Sequence, residues 1–206
     1  MQRDNGSSVV TVTNLTEFFR DALQSALAEQ HTAVDVQTEH YVVNLLTEFA
    51  RSEKLYDQTA DGRTLKPLAQ MLADALEATT DAERELLLKR LGDVSLFAAG
   101  FFARSFARRM ADVDYHIAMG SRAYDALADT VGRGRRQTLG EVFAELAAKF
   151  QPLVDALGEI ADSAYVHTQR DVLRLYEIWL KTGSARAHRL LTRLGVDAMP
   201  VALRTQ

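Results

Sequence analysis

The chain has no cysteine in 206 residues. That absence excludes a disulfide scaffold, thiolate-held zinc or iron–sulfur, and every thiol nucleophile, and it leaves the redox compartment open. Proline is scarce, with three residues, and tryptophan occurs once. Long apolar runs are missing as well. The nearest, residues 94–103 (VSLFAAGFFA), is about half the length a membrane-spanning helix needs. No positively charged start followed by an apolar stretch marks a secretory signal, so a soluble cytoplasmic protein is expected. The glycine loop of the phosphate-binding NTPases, the Gly-x-Gly-x-x-Gly dinucleotide fingerprint, the Gly-x-Ser-x-Gly elbow and His-Glu-x-x-His are all absent.

What remains is ordinary in bulk: 22.9 kDa, 47% hydrophobic and 25% charged residues, a balance that suits one globular domain. The net charge of −4 conceals an asymmetry. Residues 1–100 carry nine Lys/Arg against sixteen Asp/Glu, a balance of −7, whereas residues 101–206 carry fifteen against twelve, +3. Complementary acidic and basic regions of one bundle account for this, and so does a basic surface that meets an acidic partner. Nineteen arginines against five lysines fit a bacterial, GC-rich coding sequence.

Apolar residues recur at spacings of three and four over most of the chain, the signature of amphipathic helices. Asn14 and Glu17 form a capping-box pattern ahead of a helix ending near Gln30. A second helix is expected over 36–56, then a polar turn at 57–63, and a short helix from Pro67 to Leu76. Thr80 and Glu83 repeat the capping pattern at the head of the longest segment, 81–109, which is apolar on all sides around 97–102. Gly92-Asp93 inside it reads equally as a C-cap followed by an N-cap or as part of a continuous helix. Helices are further expected over 112–130, 139–164 with a kink or break near Phe150 caused by Pro152, 169–181, and 184–194 capped by Ser184. The β-branched stretch 9–13 is the one strand-like segment. The expected fold is all-α, a single-domain bundle of seven to nine helices around a buried central helix at about 94–102. A tail or short strand at 1–13 and a tail at 197–206 flank a helical domain over 14–196.

Three groups of residues are candidates for chemistry. Helical bundles hold di-metal centres with Glu-x-x-His pairs, but none of His31, His40, His116, His167 and His188 has Glu three residues before it. The nearest substitute is Glu39 with Asp112 and His116, read as a metal or acid/base site or as a structural polar network with Tyr41, Tyr115 and Tyr165. Arg186, Arg189 and Arg193 share one helix face and define a basic surface. A second arginine group, Arg104, Arg108, Arg109, Arg133, Arg135 and Arg136, is offset by neighbouring aspartates. With a pI near 5.7, a solvated face is expected of these arginines, and nucleic acid is not the expected partner. Phe97, Phe101, Phe102 and Phe106 could line a pocket for a small apolar ligand, with Gly92, Gly100 and Gly120 giving room for it or for close helix contact.

Trp179, Leu180, Leu190, Leu191 and Leu194 could instead form a homodimer face. With no catalytic motif and no cofactor signature, the first expectation is a non-enzymatic helical protein of adaptor or regulatory type. It would act through a protein partner, its own copy included. A carrier or sensor of a small apolar ligand is the alternative, and a metal-dependent enzyme with a carboxylate/His site in the core is the third.

Overall fold

The computed structural model describes residues 15–51, 57–59, 62–64, 66–102, 113–132, 136–162, 169–193 and 196. Among them are nine helices: α1 Leu15–Glu29, α2 Val36–Arg51, α3 Leu68–Glu77, α4 Asp81–Phe101, α5 Val113–Val131, α6 Gln137–Ala148, α7 Phe150–Asp162, α8 Gln169–Thr182 and α9 Ala185–Arg193. The fold is an all-α bundle, as the periodicity predicts. A small antiparallel hairpin interrupts it, with β1 Asp57–Thr59 paired to β2 Gly62–Thr64. The sequence reads that stretch as a turn, because strands of three polar residues carry no alternation to detect. The strand-like stretch 9–13, the Asn14 cap and the tail at 197–206 lie outside the described residues.

α4 is the central element. Every residue from 91 to 100 is buried, so the helix has no solvent face over that stretch. α5, α7 and α3 cover it. α6 lies along α5 and α2, and α1 closes the bundle against α2 and α7. Three glycines set the spacing. A Cβ at Gly92 would fall 2.5 Å from the Tyr124 ring, one at Gly100 would meet Leu157, and one at Gly120 would meet the Phe150 ring. These glycines are therefore sites of close helix contact, not space for a ligand. The helix runs unbroken through Gly92-Asp93, since Tyr124 fills the notch and Lys89 engages Asp93 one turn away.

Local chemistry explains the helix ends. Thr80 caps α4, its hydroxyl accepting from the Glu83 N–H at 3.2 Å. The return half of the expected capping box shifts by one residue, because the Glu83 carboxylate accepts from the N–H and hydroxyl of Thr79. The break between α6 and α7 falls at Lys149. Pro152 then sits in the first turn of α7, where its missing N–H belongs to the set that has no intrahelical acceptor. Gly183, with φ of +67°, ends α8 in the left-handed conformation that glycine adopts at low cost. Ser184 caps α9, accepting from the Ala187 N–H at 3.0 Å.

The apolar interior is in two parts. The large cluster joins α1 to α7. A second, small one, Leu175, Ala187 and Leu191 with Val172, Tyr176, Trp179 and Leu190 around them, belongs to the α8–α9 hairpin alone, and Ile178 touches both.

Candidate functional site

Two buried carboxylates organise the polar interior. Asp93 stands inside the wholly buried stretch of α4. Tyr41 on α2 donates to its Oδ1 at 2.5 Å, Tyr124 on α5 donates to the same oxygen at 2.7 Å, and Lys89 Nζ reaches Oδ2 at 2.6 Å. Lys89 also lies over the Tyr41 ring, 5.2 Å from its centroid. Phe143 of α6 packs edge-on to Tyr41 and stacks on Tyr124, and Phe150 of α7 tilts against Tyr124. One carboxylate thus ties α2, α4 and α5 together by hydrogen bonds, and the rings carry the tie to α6 and α7. Burial, reinforced by the Asp93 charge, raises both phenols well above their usual range. Neither releases a proton near neutral pH, and both stay donors. As donors to one carboxylate, the two phenols tie helices together.

Above the hub is an open groove of about 320 Å³. Gln37, His40, Tyr41 and Asn44, on one face of α2, form one wall, and Thr138, Leu139 and Val142 of α6 form the other. Tyr41 links the groove to the hub.

The second carboxylate, Asp155 on α7, accepts from Gln151 Nε2 at 2.9 Å, Ser184 Oγ at 2.6 Å and the Arg186 N–H at 3.2 Å. Burial pushes it above the usual carboxylate range, against the opposing effect of the hydrogen bonds from Ser184 and the Arg186 backbone. Arg186 itself is 7% exposed and its guanidinium pairs with Asp162, while Arg189 pairs with Glu159.

These contacts correct the expectation of a solvated basic face. Arg186 and Arg189 turn onto the acids of α7, because Asp155, Glu159 and Asp162 lie opposite them. The side chain of Arg193 is outside the described set. Of the second arginine group, Arg136 forms a two-pronged pair with Glu85 at 2.9 and 3.1 Å, and the others lie outside the described residues.

Of the Glu39, Asp112 and His116 group, the structure describes Glu39 on α2 and His116 on α5. Glu39 is half-buried at the α1–α2 contact, where its carboxylate accepts from Gln24 Nε2 at 2.8 Å. Asp112 lies outside the described residues. Among the described residues no group of three or more His, Asp or Glu is placed to hold a metal. Of the expected polar partners, Tyr41 serves Asp93, Tyr115 is 39% exposed, and Tyr165 is outside the described residues.

His116 is 3% exposed on the inner face of α5, and burial lowers its pKa from 6.5 to about 4. The unfolded chain takes up this proton near pH 6.5 and the folded chain only near pH 4. The stability it confers is therefore complete above pH 6.5 and is lost as pH falls towards 4. About 2 kcal/mol should be gone by pH 5. Urea midpoints at pH 7 and pH 5 check this, and His116→Gln should show a smaller fall over the same interval.

Phe97 packs on Phe49 at 5.1 Å, stacks on Phe101 at 4.9 Å and meets Phe102 at 5.7 Å. These rings fill the space between one another. Phe106 lies outside the described residues.

Asp93 and Asp155 are absent from the groups singled out from sequence, although a signal existed. Each is a charge inside a stretch apolar on all sides, with a donor four residues before it (Lys89, Gln151). Among the described residues no helix is long and apolar enough to cross a membrane. No protein-family model, curated protein or solved structure matches this chain. The fold and its polar interior define a helical bundle pinned by a carboxylate hub and carrying a charge-latched α8–α9 hairpin.

Proposed function

We propose that this is a non-enzymatic, cytoplasmic bacterial protein that works through protein–protein contact, its own copy included, with the α8–α9 hairpin as the contact element. One observation carries the reading: α8 leaves Leu173 and Leu180 70% and 51% exposed. Their separation of seven residues returns both to one face of the helix. Burying a leucine contributes about 1.5–3 kcal/mol, so the pair gives that face a reason to be covered.

Analytical ultracentrifugation of the full chain tests the reading. The wild type should show a mass above 22.9 kDa that grows with concentration. Leu173→Glu with Leu180→Glu should weaken the association at least about tenfold, and the thermal midpoint should hold, as expected of surface positions. A wild type that keeps the mass of one chain up to millimolar concentration would overturn the proposal.

The groove between α2 and α6 favours a second reading, a carrier or sensor of a small ligand. Its volume is at the lower end of ligand sites, and its mostly apolar lining, with Leu139 and Val142 on the α6 wall, suits a small apolar ligand. Extra mass in native mass spectrometry, lost on denaturation and lost in Leu139→Trp, is the result that would favour it.

A further inference from the structure

The seam between the two apolar clusters is where charge concentrates. Asp155, Glu159 and Asp162 recur at spacings of four and three along one face of α7, with Gly158 among them. That glycine is needed for space, because a Cβ there would lie 2.7–2.9 Å from the Arg186 guanidinium. Against this face α9 sets Ser184 and Arg186 on Asp155, Arg186 on Asp162, and Arg189 on Glu159. The Arg186 guanidinium takes Asp162 and the Arg189 guanidinium takes Glu159, so the register is specified. The fit is nevertheless incomplete. Arg186 Nε and Glu159 Oε2 are buried with no hydrogen-bond partner among the described residues. Buried polar atoms left so detract from stability, and buried ion pairs serve register better than strength. The seat is selective without being tight.

The hairpin also has its own small core of Leu175, Ala187 and Leu191, so part of its apolar surface is covered without α7. The charged groups that meet lie on α7 and on the hairpin, while α8 also touches α5 and Ile178 packs on the main cluster. Any two copies carry both sides of this seat. The exposed leucines of α8 alone cover far less than the ~800 Å² per partner of a standard interface, so a durable dimer needs a further contact. We propose that the α8–α9 hairpin is exchangeable: the acid-lined face of α7 receives the hairpin of a second copy through the same contacts it makes with its own. Reciprocal exchange closes with two-fold symmetry and leaves each seat filled. This inference rests on the hairpin being the contact element.

Charge reversal tests it with whole chains. One variant carries Asp162→Arg and the other Arg186→Asp, so each sets like charges against each other within its own seat. After mixing, the Arg186 hairpin of the first can take the Asp162 seat of the second, and the remaining seat receives a reversed pair. Native mass spectrometry of the equimolar mixture should show the heterodimer at least about tenfold above either homodimer. Asp162→Arg with Arg186→Asp in one chain should restore wild-type behaviour. If reversal at this buried pair unfolds the chain, Glu159→Arg and Arg189→Glu repeat the test at the less buried pair. Folded variants that show no heterodimer enrichment would overturn exchange.

The two proposals fail separately. A wild-type dimer that Leu173→Glu with Leu180→Glu disrupts, but that gives no charge-reversed heterodimer, means contact without exchange. A heterodimer that forms while those leucine substitutions change nothing means exchange without the α8 face.

Discussion

Asp93→Ala should lower the unfolding free energy by about 3–5 kcal/mol, the range for removing one partner of a buried charged network. The substitution leaves the Tyr41 and Tyr124 hydroxyls without their acceptor and takes the carboxylate from Lys89. Tyr124 is wholly buried, so its hydroxyl has no solvent to turn to, and an unpaired polar group there bears its full desolvation cost. Tyr124→Phe is the milder probe. It removes one of two donors to Oδ1 and leaves the carboxylate held by Tyr41 and Lys89, at an expected cost of about 1.5–3 kcal/mol. Guanidinium unfolding at pH 7 with an unchanged slope measures both. Equal effects for the two variants would mean that the hub acts through Tyr124 alone, not as a tie across α2, α4 and α5.

Gly140→Ala is the second large effect, about 3 kcal/mol, at the upper end for overpacking. A Cβ at 140 would run into the Gly132 Cα and come 2.9 Å from the Gly132 N. The obstacle is backbone, which cannot rotate aside, so α5 and α6 would have to separate. Alanine is the better helix former by about 0.5–1 kcal/mol, and the clash has to outweigh that gain. In a chain of this size the thermal midpoint should fall by about 6–12 °C. Gly158→Ala makes a useful contrast. Its obstacle is the end of the Arg186 side chain, so the latch should loosen while the main bundle keeps its stability.

Local physics made most of the helices legible. Spacings of three and four located them, Pro152 marked the division between α6 and α7, and Ser184 announced the start of α9. The apolar stretch around 94–102 identified the central helix because only a helix enclosed by others can be apolar all round. Pairings between distant segments were not legible. Arg186 and Arg189 look like a solvated stripe until α7 is seen to place Asp155, Glu159 and Asp162 opposite. Asp93, next to Gly92, reads as the start of a new helix until Tyr41 and Tyr124 are seen to converge on it. Glu39 has the spacing of an inward-facing acid, yet it meets Gln24 at the α1–α2 contact. Spacing along a helix fixes which side chains share a face, but it does not say what that face meets.

The only tryptophan of the chain, Trp179, sits in the hairpin cluster, its ring beside Tyr176 and His188. Indole emission therefore samples the surroundings of α8 and α9, while most of the far-ultraviolet ellipticity comes from the seven helices of the bundle. On heating, the two signals coincide only if hairpin and bundle unfold as one cooperative unit. A hairpin that lifts from α7 first would change the colour and intensity of the fluorescence while the ellipticity stayed flat. The unmodified chain thus contains a separate optical thermometer for its own latch.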